Sequence, residues 1–218
     1  GRKLRAEDVR NLALVSKFSI RNPSHELKIR DLLVDNFETV TLGHQVSGHL
    51  NFARRIATAY LNGAVARISG EFYKAVQGSM EQEGIQIPLE ILKADGGTMA
   101  QESSIQYAVE TILSGPAGGL VGAVRTSAMA GFDKIIGFDM GGTSTDVSRF
   151  DGRFELEYET EKAGVRVVAP MMAIETVAAG GGSICHFDGV KMAVGPDSAG
   201  AEPGPACYGR GGPLTVTD

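Results

Sequence analysis

Two aspartates bracket a turn built of glycine and hydroxyl residues, Asp139-Met140-Gly141-Gly142-Thr143-Ser144-Thr145-Asp146. Glycine has no Cβ, so the backbone N–H groups around Gly141 and Gly142 can come close to a bound group. Thr143, Ser144 and Thr145 add hydroxyl donors, and the combination suits phosphate oxygens. Asp139, at the mouth of the turn, can hold a hydrated divalent cation or orient a water molecule, and Asp146 is the second candidate metal ligand. A helix-based phosphate loop would need a lysine after its glycines, and none follows here. An ordinary Gly-rich hairpin turn accounts for the same residues, and the turn alone leaves both readings open.

The flanking residues must position this turn. Ile135–Phe138 is apolar and Val147–Phe150 alternates, so the pattern is strand, tight turn, strand. Upstream, Ser114 to Gly131 (SGPAGGLVGAVRTSAMAG) reads as a helix with Ser114 as its cap, Pro116 in its first turn and Gly131 as its stop. Its near-absence of bulk implies close packing against another element. A second glycine cluster, Gly180-Gly181-Gly182, follows Val177 and is either a packed turn between strands or a wall that a ligand approaches closely. Asp197 to Pro205 is too rich in Gly and Pro for a central strand and reads as an ordered loop or a lid.

The first half alternates helix and strand. Leu12–Ser19 is a short strand ended by Asn22–Pro23, and Ser24 caps a helix from His25 to about Val34. Thr39–Leu42 is a strand. A long helical pattern covers about Asn51 to Glu83, with Ile56, Tyr60, Ala64, Ile68, Phe72 and Val76 near one face and Gly63, Gly70 and Gly78 as points of division. Leu89–Ala94 follows as a strand. This order predicts a parallel α/β sheet, with Asp95-Gly96-Gly97-Thr98 at a strand's C-terminal end, where such sheets place ligands.

Composition narrows the function classes. A net charge of −5 without a long basic run argues against a nucleic-acid surface, and no apolar stretch approaches the ~20 residues of a membrane span. Cys185 and Cys207 lie outside any C-x-x-C pattern and read as reduced cysteines of a cytoplasmic protein; the four histidines show no metal-ligand spacing with them. The 29 glycines cluster after residue 95, dividing a helix-rich part from a turn-rich one.

A small-residue helix leading into a D-x-G-G-x-x-x-D hairpin resembles the actin/Hsp70/sugar-kinase ATPase superfamily. Within it, LSGPAGG from Leu113, FDMGGTSTDVS from Phe138, TVAAGGGS from Thr176 and the run from Gly195 to Asp218 are similar to the hydantoinase A/5-oxoprolinase family. The resemblance covers nearly the whole chain and is most specific from Leu113 onward. It implies a two-lobed actin-like (ribonuclease H-like) α/β fold, present as an incomplete fragment. Residues 1–98 would end the first lobe, 99–134 would connect, and 135–218 would start the second. It implies ATP and Mg²⁺ as cofactors, Asp139 as a catalytic residue, and Gly180–Gly182 as a nucleotide or substrate wall beside Gly141–Thr145. The implied activity is ATP-driven opening of a small cyclic amide, a lactam or hydantoin, shared with a B-type hydantoinase subunit; nucleic-acid and membrane partners are not expected. A carboxylase subunit of the acetone-carboxylase type and an Hsp70-like ATPase switch are the alternatives. The first phosphate hairpin of such enzymes is absent, so the fragment is expected to be inactive and to bind ATP weakly or not at all. Where oxoprolinases carry an acidic R-E-Y-E-R segment, this chain has Asn51-Phe52-Ala53-Arg54-Arg55, while Arg55, Thr58 and Asn62 keep the pattern.

Overall fold

A computed structural model describes residues 2–162 and 165–218. Its elements run α1 (Arg2–Ala6), β1 (Asn11–Leu14), α2 (Ser24–Leu33), β2 (Thr39–Leu42), α3 (Gly43–Val46), α4 (Phe52–Gln82), β3 (Glu90–Leu92), β4 (Thr98–Ala100), α5 (Gln101–Gln106) and α6 (Ser114–Met129). Then come β5 (Lys134–Met140), β6 (Thr145–Asp151), β7 (Leu156–Glu157), β8 (Thr160–Lys162), β9 (Val165–Val167), β10 (Met171–Met172), β11 (Ile174–Val177), β12 (Ser183–Phe187) and β13 (Met192–Ser198). The protein is thus a mixed α/β chain, helical first and strand-rich after. It divides into two compact units: residues up to Gly118 with Leu156–Met172, and Gly119–Glu155 with Ala173–Asp218.

In the first unit β1 and β2 pair in parallel across the α2 crossover, Asn11 opposite Thr39 through Leu14 opposite Leu42. The expected third parallel strand is absent from this sheet: β3 instead pairs antiparallel with β4. The cause is the Asp-Gly-Gly turn. Gly96 takes φ +83°, Asp95 Oδ1 accepts the Gly97 N–H at 2.9 Å, and the chain reverses at once. Asp95-Gly96-Gly97 therefore lies in a hairpin turn, and Thr98 opens β4 opposite Leu92. Ser24 does not cap α2 either; it is the first helical residue, and its N–H is taken by Asn22 Oδ1 at 3.1 Å.

Helix α4 runs 31 residues unbroken, capped by the Asn51 side chain on the Arg54 N–H, so its glycines do not divide it. Its buried face is Arg55, Thr58, Ala59, Asn62, Gly63, Ala66 and Tyr73. The face expected to be buried is outward instead: Ile68 is 63% and Phe72 62% exposed. Small and hydrogen-bonding residues win the inner face because β1, β2 and the 3-10 turn Ala108–Thr111 approach the helix there. Ala94, Val109, Val167, Ala169 and Met171 form the core, with Leu61, Ile112 and Leu113 against it.

The second unit is built on an antiparallel sheet ordered β11-β6-β5. The β5–β6 ladder runs from Lys134 opposite Asp151 to Met140 opposite Thr145, confirming the strand–turn–strand pattern. After β6, Phe154 makes an isolated bridge to Phe150, their rings 5.0 Å apart. Strand β13 continues to Ser198, further than its Gly and Pro content predicts. Its ladder with β12 shifts register between Ser183 and Cys185, so Pro196 sits in the irregular stretch and removes no ladder hydrogen bond. No described helix is long and apolar enough to cross a membrane.

Candidate functional site

The β5–β6 hairpin closes with the Gly141 N–H donated to the Ser144 carbonyl at 2.9 Å. Among the described residues, the N–H groups of Gly142, Thr143 and Ser144 have no acceptor, and neither do the hydroxyls of Thr143 and Ser144. Successive amides and hydroxyls at an exposed turn tip are a ready set of donors for an anion. Thr145 differs: it is buried, and its hydroxyl donates to the Ala179 carbonyl at 2.6 Å.

Asp139 and Asp146 are directly opposite in the ladder, which puts both side chains on one face of the sheet. Directly opposed like charges on a sheet are unfavourable unless a cation lies between them. Among the described residues neither carboxylate has an ion-pair partner; Asp146 accepts only the Thr176 hydroxyl, at 2.7 Å. No cluster of three or more His, Cys, Asp or Glu able to hold a metal is found among the described residues. Two carboxylates suit Mg²⁺, which keeps much of its water and binds through one or two carboxylates plus substrate phosphate. Gly119 of α6 lies beside the Asp139 carboxylate: a Cβ built there would stand 3.8 Å from Asp139 Oδ2, an ordinary van der Waals contact.

The Gly180–Gly182 segment is brought directly onto the hairpin. A Cβ on Gly180 would lie 2.6 Å from the Gly141 carbonyl oxygen and 2.7 Å from the Thr143 nitrogen. Gly181 and Gly182 donate their N–H groups to the carbonyls of Gly141 and Gly142 at 2.9 and 2.7 Å, and the Gly180 N–H goes to Ser183 Oγ. The close approach these glycines permit is therefore made by the hairpin's own backbone. Thr217 adds a further tie, its N–H and hydroxyl both reaching the Gly181 carbonyl at 2.9 Å. Holding the carbonyls of Gly141 and Gly142 on one side leaves the neighbouring amides facing away from that segment's donors.

Two positions here were not singled out from sequence. Thr176 is one polar residue in a short strand, and nothing in its spacing marks it as the support of Asp146. Thr217 lies in the TVTD run, whose hydroxyls gave no hint of a partner 36 residues upstream.

The profile of the hydantoinase/oxoprolinase family matches residues 55–218. 5-Oxoprolinase 1 of Arabidopsis thaliana is 40% identical over 209 residues, covering 95% of this chain but 16% of that protein. Caprolactamase subunit alpha of Pseudomonas jessenii is 36% identical, covering 98% of this chain and 32% of the relative. The crystal structure of the ATP-dependent caprolactamase from that organism matches with a TM-score of 0.79 and 32% identity over 99% of this chain and 32% of the other. A nucleotide-free acetone carboxylase structure matches with a TM-score of 0.75 and 27% identity over 91% of this chain and 29% of the other. The chain thus spans well under half the length of these relatives, and it belongs to the hydantoinase/oxoprolinase family.

Proposed function

We propose that the β5–β6 hairpin binds the phosphates of ATP, and that the whole protein uses ATP to open a cyclic amide. The observation that carries this is the combination of amides at Gly142–Ser144 that have no acceptor among the described residues with two directly opposed carboxylates on one sheet face. In this reading the Gly142, Thr143 and Ser144 amides, with the Thr143 and Ser144 hydroxyls, donate to phosphate oxygens. Asp139 and Asp146 hold Mg²⁺, with Thr176 fixing Asp146. Mg²⁺ supplies charge neutralisation at the transferring phosphate. Gly141 and Gly180–Gly182 act through the backbone, holding the turn in register, and Thr145 locks the strand to Ala179. Phosphorylation of the amide oxygen supplies what hydrolysis of a stable lactam lacks, a carbon that water can attack.

The likeness to 5-oxoprolinase and to an ATP-dependent caprolactamase supports a cyclic amide as substrate, and the designation of the latter as subunit alpha supports a second, B-type subunit. We place the protein in the cytoplasm, where ATP is supplied, and assign the two-lobed actin-like fold to the whole enzyme. The acetone carboxylase match favours a second reading, in which the activated carbonyl belongs to a ketone.

The test is ADP release by the full-length protein and its partner subunit with 5-oxoproline, hydantoin, caprolactam or acetone. Amide-dependent ADP release accompanied by ring opening is expected. Stimulation by acetone alone, or ADP release indifferent to any of them, contradicts the amidase reading.

A further inference from the structure

Three polar side chains on the inner face of α4, Arg55, Thr58 and Asn62, are fully buried and each grips a different segment. The Arg55 guanidinium donates to the carbonyls of His49 at 2.7 Å, Ser16 at 2.7 Å and Lys17 at 3.0 Å, with no carboxylate partner among the described residues. Thr58 Oγ1 accepts the Val168 N–H at 3.1 Å. Asn62 accepts the Val109 N–H at 2.9 Å and donates to the Gln106 carbonyl at 2.9 Å. Burying a cation on carbonyls alone is costly, and cutting any of these ties strands a buried donor or acceptor.

The three segments so held share one feature. His49, Val168 and Glu110, the last adjoining Val109, all line a single open pocket of about 400 Å³ within the first unit. Its remaining wall includes Gln45, Ser47, Gly48 and Tyr158. The volume is in the range of small-molecule sites, roughly 300–1,000 Å³. Val46, Val168, Ala169 and Pro170 give it an apolar side. Amide, hydroxyl and phenol groups, each able to donate and accept, give the other. The one carboxylate, Glu110, is already paired with Lys93 at 3.0 Å, so the pocket does not call for a charged ligand.

We propose that this pocket, assembled by Arg55, Thr58 and Asn62 as positioning residues, binds the amide substrate as a small uncharged ring. The ring lies on the Val168–Pro170 side and its N–H and carbonyl meet Gln45, Ser47 and Tyr158. This rests on the amidase reading above.

Gly48 offers a clean probe, because a Cβ there meets no atom within 4 Å and the exposed backbone tolerates a side chain. Caprolactam binding to the full-length enzyme with its partner subunit is measured by saturation-transfer NMR, alongside KM values for caprolactam and ATP. Gly48→Phe is expected to raise the caprolactam KM tenfold or more and abolish the NMR signal, with the ATP KM within twofold of wild type. Gln45→Ala, at an exposed position, is expected to weaken caprolactam about fivefold, the worth of one hydrogen bond. Asp139→Asn is expected to keep the NMR signal while losing turnover. If Gly48→Phe and Gln45→Ala both leave caprolactam binding unchanged, the pocket assignment is wrong and the amidase reading stands. If wild type binds no caprolactam at all, the assignment of an uncharged ring is overturned. Turnover of no amide overturns the amidase reading itself.

Discussion

At the scale of single residues, the proposed site divides its glycines into positions open to a ligand and positions packed against the turn. Gly142 belongs to the first group: a Cβ there finds nothing within 4 Å. Gly180 belongs to the second, because any side chain would collide with the Gly141–Thr143 backbone. Gly142→Val should therefore fold normally yet fill the space a phosphate would take, lowering affinity for a non-hydrolysable ATP analogue by about tenfold or more by calorimetry, with an unchanged melting temperature. Wild-type affinity in that variant would place the nucleotide elsewhere. Glu26 shows how a buried charge is kept outside this site. Burial by itself pushes its carboxyl up, but hydrogen bonds from the Ser19 and His44 side chains and the Ser16 and His44 amides outweigh that and hold it below its ordinary value of 4.5. The folded state thus binds the proton less tightly than the unfolded chain, so the carboxylate contributes stability above pH 4.5 that is lost as pH falls through the folded value. Glu26→Gln should cost about 2 kcal/mol near neutral pH in urea unfolding, with the gap to wild type closing on acidification below the ordinary carboxylate range. A gap that stays constant with pH would rule the charge out as the cause.

Element by element, what the sequence disclosed depended on how local the determining contacts are. The β5–β6 hairpin was legible because two apolar alternations meet at Gly141-Gly142 and the turn chemistry acts within a few residues. Helix α4 was legible as a helix, but its buried side was not. The pattern Ile56, Tyr60, Ile68, Phe72 marks an apolar face, whereas the contacts that decide orientation are distant ones from Arg55, Thr58 and Asn62 to Lys17, Val168 and Gln106. No periodicity carries that information. The parallel sheet was over-extended for a related reason: an apolar run after a helix looks alike whether it joins β2 or folds back on Thr98–Ala100. At the candidate site, residue chemistry alone proposes Asp139, Asp146 and the turn, whereas the Thr176–Asp146 contact depends on β11 lying against β6.

At the scale of the whole molecule, the chain is a family member that spans well under half the length of its relatives, so the proposed phosphate site is tested in the full-length enzyme. We propose the two opposed carboxylates and the Gly142–Ser144 amides as its nucleotide-metal site. The most direct measurement is amide-dependent ATP turnover by the full-length enzyme with its partner subunit, titrated with Mg²⁺, in wild type and Asp139→Asn. The substitution keeps the size and hydrogen bonding of the side chain, and Asp139 is exposed, so folding should survive. Loss of the charge should lower turnover by roughly 10²-fold or more and raise the Mg²⁺ concentration needed for half-maximal rate. A folded Asp139→Asn enzyme with near wild-type turnover and unchanged Mg²⁺ dependence would show that the hairpin is structural and not a nucleotide-metal site.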